Sequence, residues 1–287
     1  MQNTNNILII GGDSRQQYMA DYFEKMDFKV SVYGLPEKKR KCVKDVKISI
    51  PQNDIIILPL PLTKDGRYIS SQIPMKETID DIIGCINEKH FVFAGMISKG
   101  LEAKIAKKTP NIFDYFKCED VTIKNTIPTA QGILKTMIDN IEYTIHSSKC
   151  AVFGYGRVAK VTADILSSIG ADVTVCVRKK ADIAAAEIKG LKGCMISDFY
   201  NISHDFDIII NTVPSVVINR EILENVRPDC LIIDVASAPY GTDFAAAFEL
   251  GLNAVQCPSL PGKVAPKTAG KIIADAIISI LKEENYG

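Results

Sequence analysis

Apolar residues along this chain come in short, nearly unbroken runs, and the stretches between them carry apolar positions at three- and four-residue spacing. Runs at 7–10, 29–32, 46–48, 54–58, 91–94 and 111–114 are of strand length, as are those at 150–153, 172–177, 194–196, 206–211, 230–235 and 253–256. A strand that is apolar on both faces is covered on both faces, which is how parallel strands are buried between helices. Helices are expected between them at 75–87, 101–107, 163–168, 181–189, 220–225 and 244–250. Two longer helices stand apart. Residues 128–141 put Ile133, Leu134, Met137, Ile138 and Ile141 at helical spacing behind Pro128, a residue suited to a first turn. Residues 266–281 carry an apolar stripe that requires burial. The pattern predicts an α/β chain of two parallel-sheet domains, residues 1–127 and 149–265. A connecting helix and linker at 128–148 joins them, and a C-terminal helix within 266–287 returns to the first domain.

Each half contains a strand that runs into a glycine turn and then a helix, and the two turns differ. In the second half Cys150, Ala151, Val152 and Phe153 lead into Gly154-Tyr155-Gly156-Arg157-Val158-Ala159. The glycines allow a tight turn and close approach of backbone to a pyrophosphate, and the helix starting near Arg157 aims unpaired N–H groups at the phosphates. The third motif position is Ala159 instead of Gly, but the strand at 172–177 follows at the distance a dinucleotide motif requires. In the first half the turn is Gly11-Gly12-Asp13-Ser14-Arg15, which lacks that spacing. Asp13 or Ser14 is placed to cap the following helix. Without the motif spacing the turn reads as the first βα unit of a Rossmann-like domain, with a second dinucleotide site as the alternative. Both domains are therefore expected to be Rossmann-like.

Charge and composition narrow the classes. Lys+Arg and Asp+Glu both number 34, so bulk charge points to neither nucleic acid nor an anionic membrane as a partner. The 8 cysteines are dispersed without a Cys-x-x-Cys pair, and most lie in apolar runs, as small buried residues do in a reducing compartment. His90, His146 and His204 form no ligand-spaced set, so no metal site is expected. Residues 1–6 are polar and the run at 7–10 is too short for a leader's apolar core, which makes the cytoplasm the expected location.

The strand at 172–177 ends in Val177-Arg178-Lys179-Lys180, where an acidic residue would choose the unphosphorylated cofactor. Three cations favour NADP over NAD, with Arg178 the bidentate phosphate partner and Lys179 beside it; the alternative is a solvated basic turn. Asn211-Thr212-Val213-Pro214 and Asp234-Val235-Ala236-Ser237 end two further strands, so Thr212, Val213, Pro214, Ala236 and Ser237 are expected along the ribose and nicotinamide, unless these are plain βα loops. With Gly154, Tyr155, Gly156, Arg157 and Val158 they complete the expected cofactor set.

A family resemblance rests on Asn125-Thr126-Ile127-Pro128-Thr129-Ala130-Gln131-Gly132, Tyr143-Thr144-Ile145-His146, Gly154-Tyr155-Gly156-Arg157, Asn211-Thr212-Val213-Pro214-Ser215, Gly241-Thr242-Asp243-Phe244 and the segment from Leu260 to Gly270. The chain resembles the dipicolinate synthase A-subunit family and, more distantly, alanine dehydrogenases and methylene-tetrahydrofolate dehydrogenases. That resemblance implies NADP-dependent oxidation of a dihydrodipicolinate-type heterocyclic dicarboxylate to pyridine-2,6-dicarboxylate. It also implies the mother cell of a sporulating bacterium, a flavoprotein-like B-subunit of dipicolinate synthase as partner, and a homo-oligomer. The chain departs from the family pattern at Ala159, Ala238, Tyr240 and Lys263, the last two near the expected mouth of the site. Two substrate carboxylates need cations or helix N-termini, so Arg15 and Lys267, each at a predicted helix start, and the hydroxyl of Thr129 are the expected catalytic set in a cleft between the domains. Capping and surface charge are the alternative for each. His146 is a candidate proton acceptor or a structural histidine. The competing function is a non-catalytic NADP-binding scaffold or redox-sensing component for the flavoprotein partner.

Overall fold

A computed structural model describes residues 6–37 and 42–284; residues 1–5, most of the polar start noted above, lie outside it. The chain forms two compact units, Met1–Asn125 with Ala265–Gly287, and Thr126–Val264.

The first unit is built on a parallel sheet of β1 (Asn6–Ile10), β2 (Lys29–Tyr33), β3 (Ile55–Ile57), β4 (Phe91–Ala94) and β5 (Ile112–Asp114), in the order β2-β1-β3-β4-β5. The unbroken apolar runs bury both faces. Ile7, Ile9, Ile55 and Ile57 pack with Met19, Ala20 and Phe23 of α1 (Ser14–Glu24) and with Ile273 and Ile277 of the C-terminal helix (Pro266–Glu283). Leu8, Ile10 and Ile56 pack on the other face with Val46 of α2 (Val46–Ser49), Ile79 and Ile82 of α3 (Ile79–Gly84), and Leu101 and Ile105 of α4 (Lys99–Ala106). Fully burying a valine, leucine, isoleucine, methionine or phenylalanine side chain contributes about 1.5–3 kcal/mol of transfer free energy. Helix α5 (Glu119–Lys124) packs on the C-terminal helix through Val121.

Helix α1 and the C-terminal helix touch backbone to backbone: a Cβ on Gly270 would stand 2.4 Å from the carbonyl oxygen of Arg15. Further along, Tyr22 donates its hydroxyl to Asp275 at 2.7 Å. Contacts advance in the same direction on both helices, so they run parallel and their N-termini lie side by side.

Two expectations fail locally. Residues 46–48, expected as a short strand, form α2, because the Asp45 carboxylate accepts from the backbone N–H groups of Lys47 and Ile48 and starts a helix. The helix expected over 75–87 is confined to α3, where Thr78 and Asp81 close a capping box.

The second unit carries six parallel strands: β6 (Lys149–Phe153), β7 (Asp172–Val177), β8 (Lys192–Met195), β9 (Ile208–Asn211), β10 (Leu231–Asp234) and β11 (Asn253–Gln256). Their order is β11-β10-β9-β6-β7-β8. The chain steps outward from β6 to β7 and β8, then returns to β9 on the other side. The carboxyl ends of β6 and β9 therefore flank a topological switch point, where loops diverge and leave a crevice. Helices α6 (Thr126–Asn140), α7 (Arg157–Ser168), α8 (Lys180–Glu187), α9 (Arg220–Asn225), α10 (Phe244–Glu249) and α11 (Leu260–Val264) cover the sheet, and the C-terminal helix of the first unit is α12. Helix α6 is part of this unit and packs on α7 and α11, with Gly132 admitting Leu260 so closely that a Cβ there would lie 2.8 Å from the leucine Cβ. Both units are Rossmann-like parallel-sheet α/β folds.

Candidate functional site

The switch-point crevice holds a cavity of about 240 Å³ lined by Gly156, Arg157, Val158, Thr212, Pro214, Val235, Ala236 and Ser237. Three strand ends converge on it. From β6, Gly154 takes a left-handed φ of +93° and its missing Cβ leaves room for the Thr212 hydroxyl, which donates to the Phe153 carbonyl at 2.8 Å. Gly156 is the N-cap of α7 in extended conformation, with no side chain capping the helix and open space where a Cβ would point. The first N–H groups of α7 and the positive end of its dipole thus open onto this crevice, the arrangement that receives a phosphate.

Seven of the expected cofactor residues line this cavity: Gly156, Arg157, Val158, Thr212, Pro214, Ala236 and Ser237. Val235, which lies between two expected strand-end residues, joins them and had not been singled out. Tyr155 is turned away. Its ring is 8% exposed within the core beside α7, its hydroxyl donates to the Ala185 carbonyl, and the Lys160 ammonium sits 5.0 Å from its centroid. Only its backbone belongs to the turn. Val213 packs against the core on the far side of the sheet. Arg178 and Lys179, at the end of β7, are exposed outside the cavity, and Lys179 is the N-cap of α8 with no side-chain cap bond.

The first glycine turn is closed by its own residues. The Asp13 side chain accepts from Arg15 N at 2.9 Å and from the backbone N–H of Gln16, whose Oε1 accepts from Asp13 N at 2.9 Å in return, a full capping box. The Arg15 guanidinium, 8% exposed, grips the same carboxylate through Nε and Nη2 and donates to the Leu60 carbonyl at 2.6 Å, while among the described residues Nη1 makes no hydrogen bond. Lys267 is exposed one turn before Gly270 on α12, whose N-cap, Ala265, offers no side-chain cap. Since α1 and α12 start side by side, the structure brings Arg15 and Lys267 to the same edge of the first unit. Thr129 is half-buried in the first turn of α6.

His146 is exposed just before β6, packed against Gly170 just before β7. That is the amino edge of the sheet, about a strand's length, ~16 Å, from the cavity at the carboxyl ends. Cys150 and Cys230 are buried packing groups, and desolvation pushes both thiols up to about 12. Among the described residues no cluster of three or more His, Cys, Asp or Glu side chains is arranged to hold a metal ion, and no helix is long and apolar enough to cross a membrane.

Both parts of the chain have known relatives. Residues 6–116 match the family model of the dipicolinate synthase A-subunit N-terminal domain, and residues 144–278 match that of the acetohydroxy acid isomeroreductase NADPH-binding domain. The dipicolinate synthase A-subunit of Bacillus subtilis (strain 168) is 33% identical over 284 residues, covering 96% of each chain. The crystal structure of the dipicolinate synthase A-subunit from Bacillus halodurans superposes with a TM-score of 0.86 at 30% identity, over 98% of this chain and 99% of that one. An L-alanine dehydrogenase shares the fold alone, with a TM-score of 0.62 at 12% identity over 97% and 90% of the two chains. With a relative of this identity matched over nearly its whole length, the chain belongs to the dipicolinate synthase A-subunit family.

Proposed function

We propose that the chain is the NADP-dependent dehydrogenase component of a synthase and oxidises a dihydrodipicolinate-type heterocyclic dicarboxylate to dipicolinate. The observation that carries this reading is the open N-terminus of α7 at Gly156, facing a cavity bounded by three strand ends. Gly156, Arg157 and Val158 would hold the pyrophosphate, and Thr212, Pro214, Val235, Ala236 and Ser237 would bound the nicotinamide half. Arg178 and Lys179 would take the 2′-phosphate, because both are exposed cations at a strand end that carries no carboxylate. When bound, the nicotinamide supplies a two-electron acceptor, and aromatisation of the substrate ring makes its oxidation downhill.

The chain's own residues bind and orient the dicarboxylate. Lys267, at the uncapped start of α12, and the Arg15 guanidinium at the neighbouring start of α1 would donate to carboxylate oxygens. The B-subunit of dipicolinate synthase is the expected partner, because the relatives are named as one subunit of a synthase.

The test is nicotinamide reduction followed by absorbance, with purified protein, NADP and the dihydrodipicolinate precursor, with and without the B-subunit. Substrate-dependent reduction is expected, and Lys267→Ala is expected to raise KM about tenfold while leaving NADP affinity unchanged. NADP binding without reduction, even with the B-subunit present, would establish the scaffold function instead.

A further inference from the structure

Behind the cavity, two side chains with no solvent exposure tie its loops together. Asn211 and Asp234, the last residues of β9 and β10, are both 0% exposed and stand opposite each other in the strand register. The Asn211 amide donates to Asp234 Oδ2 at 3.0 Å and to the Val213 carbonyl at 3.0 Å, and its oxygen accepts from Val213 N at 3.0 Å. Asp234 accepts from Ala236 N at 2.9 Å through Oδ1 and from Gly241 N at 2.9 Å through Oδ2. Gly241 in turn accepts at its carbonyl from Val217 and Ile218, both at 2.9 Å. A Cβ on Gly241 would lie 2.3 Å from the Asn211 amide nitrogen and 2.4 Å from the Val213 carbonyl, so only glycine lets the two loops approach.

A carboxylate withdrawn from water without a cation is costly, and here hydrogen bonds alone compensate it. The fold needs only one strand end after another; it does not need a buried Asp–Asn pair to make it. The pair instead fixes the backbone of 212–214 and 235–237, segments that include five of the eight residues lining the cavity.

We propose that Asp234 and Asn211 are positioning residues for the nicotinamide half of the dinucleotide, a reading that rests on the cofactor assignment above. The pyrophosphate cradle lies after β6 and the basic turn lies after β7, so the adenosine half belongs to that side of the switch point. The other half then runs over β9 and β10, against the loops that the pair holds. Neither side chain touches the cofactor; both act through the backbone.

The experiment compares binding of NADP with binding of adenosine 2′,5′-bisphosphate, which reports the adenosine half alone. In Asp234→Asn the isosteric amide must turn a donor towards one of its backbone N–H partners, so NADP affinity is expected to fall about 10- to 100-fold. Bisphosphate affinity should stay within about twofold. Asn211→Ser, which keeps Asp234 and its two backbone bonds, guards against a folding defect and should lower NADP affinity by a smaller factor in the same selective manner. Equal losses of both ligands would mean a merely structural pair, and unchanged NADP affinity in both variants would overturn the proposal outright. Wild-type protein that binds neither ligand would overturn the cofactor assignment itself, and the positioning role with it.

Discussion

The two glycine turns of this molecule are the same supersecondary unit put to opposite ends. At the first, the chain supplies its own anion: the Asp13 carboxylate caps α1, and Arg15 pairs with it from within the helix's first turn. At the second, Gly156 caps α7 with nothing, and the space where its side chain would be is open. A helix start always has unpaired N–H groups and a positive dipole end to satisfy. Whether it becomes a ligand site depends on whether the sequence has already satisfied it. Glycine count does not separate the two turns; the residue at the cap does.

The sharpest way to break the contrast is to close the open turn. Gly156 has φ −78° and ψ −170°, ordinary extended backbone, and no atom lies within 4 Å of its Cβ position. Gly156→Asp therefore fits without strain and gives α7 the cap that α1 has. Its melting temperature should hold or rise slightly, by a few tenths of a kcal/mol in ΔG. Nicotinamide dinucleotide binding, followed by calorimetry, should be lost, because the new carboxylate occupies and repels the phosphate position. Retained binding would mean that the cradle is not the pyrophosphate site.

Opening the closed turn is the reverse experiment. Asp13→Ala removes a helix cap and leaves the Arg15 guanidinium, 8% exposed, without its carboxylate. The expected loss is about 2–3 kcal/mol in denaturant unfolding, less than for a fully buried pair because Asp13 is itself 35% exposed. Cofactor affinity should not move, since this turn lies in the other unit. A third change tests selectivity at the open side. Arg178→Glu places a carboxylate at the end of β7, and the ratio of NADP to NAD affinity should fall about 10- to 100-fold through lost pairing and new repulsion. A wild-type protein with equal affinity for both cofactors would remove the basis of that prediction.

How much of this was legible depended on whether one local rule decided the outcome. The strands of both sheets could be read because continuous apolar runs such as Ile208, Ile209 and Ile210 have no other way to be buried. The cradle could be read because Gly154 and Gly156 sit between such a strand and a helix. Residues 46–48 misled because Val46 and Ile48 alternate like a strand, yet Ile48 is 62% exposed and Asp45 dictates a helix start. The capping aspartate was the available signal. Tyr155 lay in the motif, but which way its ring turns depends on the space between α7 and α8, which pattern does not encode. Arg15 was legible as a cation at a helix start; that it spends Nε and Nη2 on Asp13 depends on rotamers. The Asn211–Asp234 pair joins residues 23 apart in sequence, and nothing short of the sheet order brings them together.

The smallest predicted effect concerns the third position of the motif. In a Gly-x-Gly-x-x-Gly turn the last glycine serves helix-on-strand packing and not the phosphate. Here Ala159 is 0% exposed and its methyl is part of the core between α7 and the sheet. Ala159→Gly should therefore weaken the protein without touching its ligand. The loss of helix propensity, with the small cavity left by the methyl, comes to about 1–2 kcal/mol. Cofactor affinity should stay within about twofold, because the cradle at Gly156 and the N–H groups of α7 are unchanged. A large fall in affinity with unchanged stability would show that the helix start reaches its phosphate only at the spacing Ala159 sets, and that the two glycine turns differ in packing as well as in their caps.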